Sequence, residues 1–250
     1  MGDQLEGRNA VLEALKNERE ISEIFLAENT RGKTIEEIKN LASRSGISVT
    51  LKPKTMLDQI AQSHNHQGVL AKVGSYRYAN LEQELQRVSA ESSCPLFLLL
   101  DGIEDPHNLG SMIRSAEVFG VSGVIIPKHR AAGITPAVAK TASGALEHVP
   151  VMQVTNINDA IKRLKARNFW IAGGDGDSRQ DIDHADLSGP LGLVIGSEGK
   201  GLSRLVRKNC DYLVRIPMSG KTGSLNASVA AGVLLYEVQR QNLRKKETAR

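Results

Sequence analysis

Pro95-Leu-Phe-Leu-Leu-Leu100-Asp101-Gly-Ile-Glu-Asp105-Pro106-His-Asn108-Leu-Gly110-Ser-Met-Ile-Arg114 is the stretch on which the fold turns. Leu96–Leu100 is an unbroken apolar run, the pattern of a strand buried on both faces. Asp105-Pro106 favours a turn, and Leu109–Phe119 carries apolar residues at helical spacing. A buried strand, a polar turn and a helix make one βα step of an α/β sheet.

The same texture continues downstream. Val121–Ile126, Val149–Val154, Phe169–Ala172, Leu191–Ile195 and Tyr212–Ile216 read as further strands. Helical patterns lie between most of them at Pro136–Leu146, Ile157–Ala166 and Ser203–Lys208, and a long helix over Ser224–Leu243 closes the chain. The alternation predicts a mainly parallel sheet covered by helices over residues 95–250. Upstream, residues 1–75 read as a small separate α/β unit. Its helices are expected over Asn9–Leu15, after a Thr34 cap, and over Thr55–Ala61. Its strands are expected at Ile21–Ala27, Ile47–Leu51 and Gly68–Val73. Residues 76–94 are polar, with a weak helical pattern at Leu81, Leu85 and Val88, and read as a linker.

The 250 residues carry a formal net charge of +4. Residues 1–75 hold ten basic and ten acidic side chains, so the excess lies in the remainder. A mild excess permits a nucleic-acid partner without demanding one. Cys94 and Cys210 have no Cys or His at metal-ligand spacing, so no metal site is expected. Few cysteines, no signal-like start and no apolar run of membrane-spanning length lead us to expect a cytoplasmic protein with no membrane partner.

Ligands of open α/β sheets bind beyond the carboxyl ends of strands, and three such ends are rich in glycine and polar residues. In the first, Asn108 stands where a helix cap is expected. Arg114 follows inside the helix, where Glu117 is a possible ion-pair partner. The second is Leu193-Val-Ile-Gly196-Ser197-Glu198-Gly199-Lys-Gly201-Leu-Ser203. Its glycines let a ligand approach the backbone, yet their spacing fits neither the Rossmann nor the P-loop pattern. Glu198 would repel phosphate there, so a cationic or hydroxyl partner is more natural. The third is Ile216-Pro-Met218-Ser-Gly-Lys-Thr-Gly223-Ser224-Leu225-Asn226-Ala227. Ser224 reads equally well as a helix N-cap.

Taken together and in order, DPHNLGSMIRSAE, KTASGALEHVPV, LVIGSEGKGLS and IPMSGKTGSLNASVAAGVLLYE resemble the SpoU (TrmH) family of RNA 2′-O-methyltransferases within the SPOUT superfamily. GRNAVLEAL and HQGVLAKV resemble the family's L30e-like substrate-binding domain. The layout is most similar to the RlmB branch, which modifies a guanosine of 23S rRNA. The resemblance implies S-adenosylmethionine (SAM) as cofactor, a homodimer whose active site takes residues from both subunits, and a deep trefoil knot. It implies Asn108, Arg114, Glu198, Ser224 and Asn226 as the catalytic set. It places SAM on Gly196, Ile216 and Leu225, with Ser197, Gly199 and Met218 nearby and the Thr141 and Gly144 stretch as the next candidate.

The implied reaction is attack of a ribose 2′-oxygen on the SAM methyl group. Family proposals give deprotonation to the arginine. Neutralising an arginine at pH 7 costs about 7–9 kcal/mol, so we expect Arg114 to stay charged, grip phosphate and stabilise the developing alkoxide. A phosphate oxygen or water then takes the proton. Glu198 and Asn108 are expected to orient the arginine. His107 is an outside candidate for general base, and His148 reads as structural. Lys200 and Lys221 are candidate phosphate contacts. The competing readings are a tRNA ribose methyltransferase and a non-catalytic RNA-binding protein. A Rossmann oxidoreductase is disfavoured by the absent glycine fingerprint.

Overall fold

The computed structural model describes residues 3–61, 66–220 and 223–248. These divide into two compact units, one of residues 1–77 with 134–148, the other of residues 78–133 with 149–250.

The first unit holds β1 (Asp3–Glu6), α1 (Arg8–Lys16), β2 (Ile21–Ala27), α2 (Lys33–Arg44), β3 (Ser48–Lys52), α3 (Lys54–Ile60) and β4 (Val69–Val73). Its sheet order is β1-β4-β2-β3, with β2 and β3 parallel and the other pairs antiparallel. Gly32, not Thr34, caps α2. Residues 134–148 add α6 (Pro136–Ala142) and a short 3₁₀ turn, Ala145–Glu147. The helix ends early because Ser143 and Gly144 take left-handed backbone, at φ 55° and 98°. A side chain at Gly144 would meet Glu13 Cγ at 2.7 Å. Arg19 pairs with Glu147 at 2.9 Å, and His148 Nε2 lies 3.1 Å from Glu13. The segment 134–148 departs from the sequence reading, which grouped it with the C-terminal residues.

The second unit starts with α4 (Leu81–Glu91), where a linker was expected. Asn80 Oδ1 caps it by accepting from the amides of Glu82 and Gln83. Leu81, Leu85 and Val88 are buried in the same core as Phe97, Leu99 and Ile161. The weak apolar stripe was thus a packed helix face. The rest comprises β5 (Leu96–Asp101), α5 (Pro106–Val118), β6 (Gly123–Pro127), β7 (Val151–Val154), α7 (Ile157–Lys165), β8 (Trp170–Gly174), β9 (Leu191–Gly196), α8 (Arg204–Asn209), β10 (Tyr212–Val214) and α9 (Ala227–Thr248). The six strands run in the order β10-β8-β9-β5-β6-β7, all parallel. This is the α/β architecture the apolar runs predicted. Leu96–Leu100 and Leu191–Ile195 are buried throughout because helices cover both faces. No helix among the described residues is long and apolar enough to cross a membrane.

The strand order fixes where a ligand can sit. From β5 the chain builds outward through β6 and β7, then returns to the other side of β5 with β8, β9 and β10. The reversal falls between β5 and β9, where Asp101 and Gly196 are paired at the carboxyl ends. Such a switch point opens a crevice because the flanking connections leave in opposite directions.

Candidate active site

Loops from both sides of the switch point meet there. After β5, Asp105 Oδ1 accepts the amide of His107 at 2.7 Å and caps α5, with Pro106 in the first turn. The cap is therefore Asp105, and Asn108 sits inside the first turn, 7% exposed. A polar side chain buried that far must be hydrogen-bonded. Asn108 Nδ2 donates to Glu198 Oε1 at 3.1 Å, and its Oδ1 accepts from Asn226 Nδ2 at 3.0 Å.

Glu198 lies in the loop after β9, whose shape depends on glycine. A Cβ on Gly196 would fall 2.2 Å from the Gly201 carbonyl carbon, so the loop crosses its own start at backbone distance. Ser197 and Gly201 exchange amide–carbonyl hydrogen bonds at 3.1 and 2.9 Å. Gly199 and Gly201 both have left-handed φ, at 76° and 62°, which glycine adopts without steric cost. The Ser203 amide donates to Asp101 Oδ2 at 2.7 Å, tying the far end of the loop to β5.

Asn226 supplies the third wall. Its Oδ1 accepts from the amides of Ser228 and Val229, at 3.0 and 3.3 Å, and caps α9. Ser224, a cap candidate from sequence, lies before the helix. With Oδ1 committed to the cap, Nδ2 must face the other way, and it donates to Asn108 and, at 2.5 Å, to Glu198 Oε1. The Ala227 amide also donates to that oxygen, at 3.2 Å. Glu198 Oε1 thus accepts from three donors on two different segments.

Beside this cluster is a cavity of about 770 Å³, within the size range of cofactor sites. Gly196, Ser197, Glu198, Gly199, Ile216, Met218, Ser224, Leu225 and Asn226 all line it. Ile195 and Leu234 add apolar wall. The sequence reading missed Asp175 and Arg207, which also line it and form an ion pair at 2.9 Å. The signal was present: Gly173-Gly174-Asp175-Gly176-Asp177 follows β8 as another strand end rich in glycine and acid. A cavity with apolar walls, close backbone approach and carboxylates at Glu198, Asp175 and Asp177 suits a ligand with a flat apolar portion and a positive charge. SAM has both.

Other expected residues fall elsewhere. Thr141 and Gly144 do not line the cavity and belong to the N-terminal unit, where Thr141 Oγ1 donates to the Ala137 carbonyl at 3.0 Å. Arg114 is exposed on α5 and makes no ion pair or side-chain hydrogen bond among the described residues, so neither Glu117 nor Asn108 nor Glu198 holds it. His107 is exposed and outside the cavity lining. Lys200 lines the cavity, whereas Lys221 lies outside the described residues. Burial pushes the Cys210 thiol up to about 12, so it is a protonated packing group at neutral pH.

Residues 95–236 match the SpoU rRNA Methylase family, and residues 4–79 match the RNA 2′-O ribose methyltransferase substrate-binding domain. YacO of Bacillus subtilis (strain 168), named for the TrmH family of tRNA/rRNA methyltransferases, is 46% identical over 239 residues, covering 96% of each chain. The SpoU methyltransferase AviRb from Streptomyces viridochromogenes, solved with AdoMet (SAM), is similar with a TM-score of 0.79 at 27% identity, over 95% of this chain and 89% of that one. The A. aeolicus TrmH/SpoU tRNA modifying enzyme gives 0.56 at 28% identity, over 68% of this chain and 88% of that one. With a family match over more than half of its length and a switch-point cavity suited to SAM, this chain belongs to the SpoU (TrmH) family of SAM-dependent RNA methyltransferases.

Proposed function

We propose that the protein methylates the ribose 2′-hydroxyl of a guanosine in 23S rRNA, acting as a homodimer. The observation that carries the reading is the hydrogen-bonded cluster of Asn108, Glu198 and Asn226 at the switch point, at the edge of the SAM cavity. The two-unit layout favours ribosomal over transfer RNA. The tRNA modifying enzyme resembles only part of this chain, and residues 4–79 here match a substrate-binding domain.

SAM, when bound, supplies an electrophilic methyl group on a sulfonium. The protein's task is to place and activate the ribose oxygen. Glu198 is a positioning residue: three donors saturate Oε1, leaving that oxygen no capacity to abstract a proton. The cluster locks the loops after β5 and β9 to the start of α9 and fixes where the ribose meets the cofactor. Ser224, exposed and lining the cavity, is the residue we assign to the ribose.

Arg114 completes the site from a second subunit. It shares a face of α5 with Val118, one turn on and 62% exposed. Beside α5, helix α9 carries Val229, Val233 and Tyr236 at one-face spacing, 51%, 39% and 55% exposed. Leu234, on the same helix, is buried in its own unit. An apolar stripe of this kind on a folded unit marks an interface, and a two-fold pairing over it would carry each Arg114 to the other subunit's centre. There the guanidinium stays charged, holds a phosphate and stabilises the alkoxide, while a phosphate oxygen or water takes the proton.

The test is transfer of tritiated methyl from SAM to total RNA from a strain lacking the gene, followed by mapping. Label at one 23S rRNA guanosine is expected. Label in tRNA alone would reassign the substrate. A protein that binds SAM and labels no RNA would be the non-catalytic RNA binder.

A further inference from the structure

A second cavity, of about 1000 Å³, lies wholly within the N-terminal unit. It opens where β2 and β3 end and β4 begins, and Arg8, Thr30, Arg31, Lys54, Thr55 and Gln67 line it.

Its charge differs from that of its surroundings. Residues 1–75 are neutral as a whole, but the cavity gathers Arg8, Arg31 and Lys54 against one carboxylate, Glu28. None of the three cations is ion-paired among the described residues; Lys16, Arg19, Lys39, Lys72 and Arg77 elsewhere in the unit are, whereas Lys33, Arg44 and Lys52 are not. Arg8 is held in place instead by backbone carbonyls, its Nε donating to Gln67 at 3.2 Å. Arg31 and Lys54 are exposed at the mouth.

The wall is built rather than loose. His66, 2% exposed, accepts the Gly68 amide on Nδ1 at 3.1 Å, so Nε2 carries the proton and donates to Asp58 at 2.8 Å. That pins a turn in which Gln67 and Gly68 both have left-handed φ, at 53° and 76°. A Cβ on Gly68 would fall 2.2 Å from Thr30 Oγ1. Held backbone strain of this kind, at a cavity wall, points to a binding role.

We propose that this cavity receives one unpaired nucleotide of the RNA substrate, with Arg31 and Lys54 on its phosphates and Thr30, Thr55 and Gln67 on its base and ribose edges. The proposal rests on the reading of the protein as an RNA methyltransferase. A phosphate alone would leave most of the volume empty, and a whole nucleotide is accommodated with room to spare. Base edges become accessible to such polar groups only where RNA is single-stranded. The guanidinium plane of Arg31 also offers a stacking surface to a base.

The test uses the full chain and a fluorescent RNA hairpin with an unpaired loop, compared with the same stem fully duplexed, by anisotropy at fixed salt. The double variant Arg31→Glu with Lys54→Glu should weaken hairpin binding by roughly tenfold or more and leave duplex binding and SAM affinity nearly unchanged. Thr55→Trp fills the cavity without altering charge and should act in the same direction. An equal loss on hairpin and duplex would mean a diffuse basic face, and no loss would remove the cavity from RNA binding. Either result overturns the proposal. Methyl transfer to total RNA by the unaltered protein, run in parallel, separates this outcome from failure of the enzyme reading.

Discussion

Gly196 and Arg114 are constrained in opposite ways. Gly196 has no room for a methyl group, because a Cβ there would lie 2.2–2.4 Å from backbone atoms of Gly201 and Leu202. Backbone cannot step aside as a flexible side chain does. Gly196→Ala should therefore destabilise the protein by about 1–3 kcal/mol, read by urea titration. A loop displacement of that energy should weaken SAM binding by roughly tenfold, read by calorimetry. Arg114 has room but no ion pair or side-chain hydrogen bond among the described residues. Arg114→Ala should lower kcat by about 10²–10³. Arg114→Lys keeps the charge but loses the planar fork, so it should recover only part of that loss with the pH profile unmoved. A lysine variant of full activity with an optimum at lower pH would sink the charged-clamp mechanism.

Helix α9 and the loop before it depend on a single side chain. Asn226 caps the helix through Oδ1 and holds Glu198 through Nδ2. The two functions separate by substitution. Asn226→Asp keeps a good cap but replaces the amide donor with a second carboxylate facing Glu198. It should preserve stability and lower kcat by about 10². Asn226→Ala loses both and should also cost about 1 kcal/mol of stability. The elements themselves were largely legible in the sequence. The central strands were plain because Leu96–Leu100 and Leu191–Ile195 are buried at every position and carry no polar side chain. Local cap chemistry was less so. Asn108, Ser224 and Thr34 each looked like caps, but Asp105, Asn226 and Gly32 do the capping. Several polar residues near a helix start compete, and tertiary partners decide among them. Strand β1 gave no signal, since Asp3, Gln4 and Glu6 surround one leucine and only distant pairing with β4 makes it a strand.

For the molecule as a whole, the exposed stripe on α9 and Arg114 on α5 make one prediction. Val233→Glu with Tyr236→Glu should produce monomers by light scattering. These should still bind SAM, because the cavity lies within one unit, but should not transfer methyl groups. Mixing an Arg114→Ala protein with an Asn226→Asp protein should restore activity in part, because a heterodimer rebuilds one intact composite site. If each variant remains inactive in the mixture, Arg114 does not act across the interface. Pattern reading could not have found the grouping of residues 134–148. Amphipathic spacing reports that a face is apolar and leaves open what covers it. A knotted chain path, expected only from family resemblance, is likewise invisible to periodicity.

The shared use of Asn226 also ties the Asn108–Glu198–Asn226 cluster to the motion of its helix. Whenever the first turn of α9 frays, Nδ2 is released together with Oδ1 and Glu198 loses a donor. The amides of Ser228 and Val229 are protected by that same side chain. Their hydrogen–deuterium exchange therefore clocks how often the cluster opens, without any RNA or cofactor present.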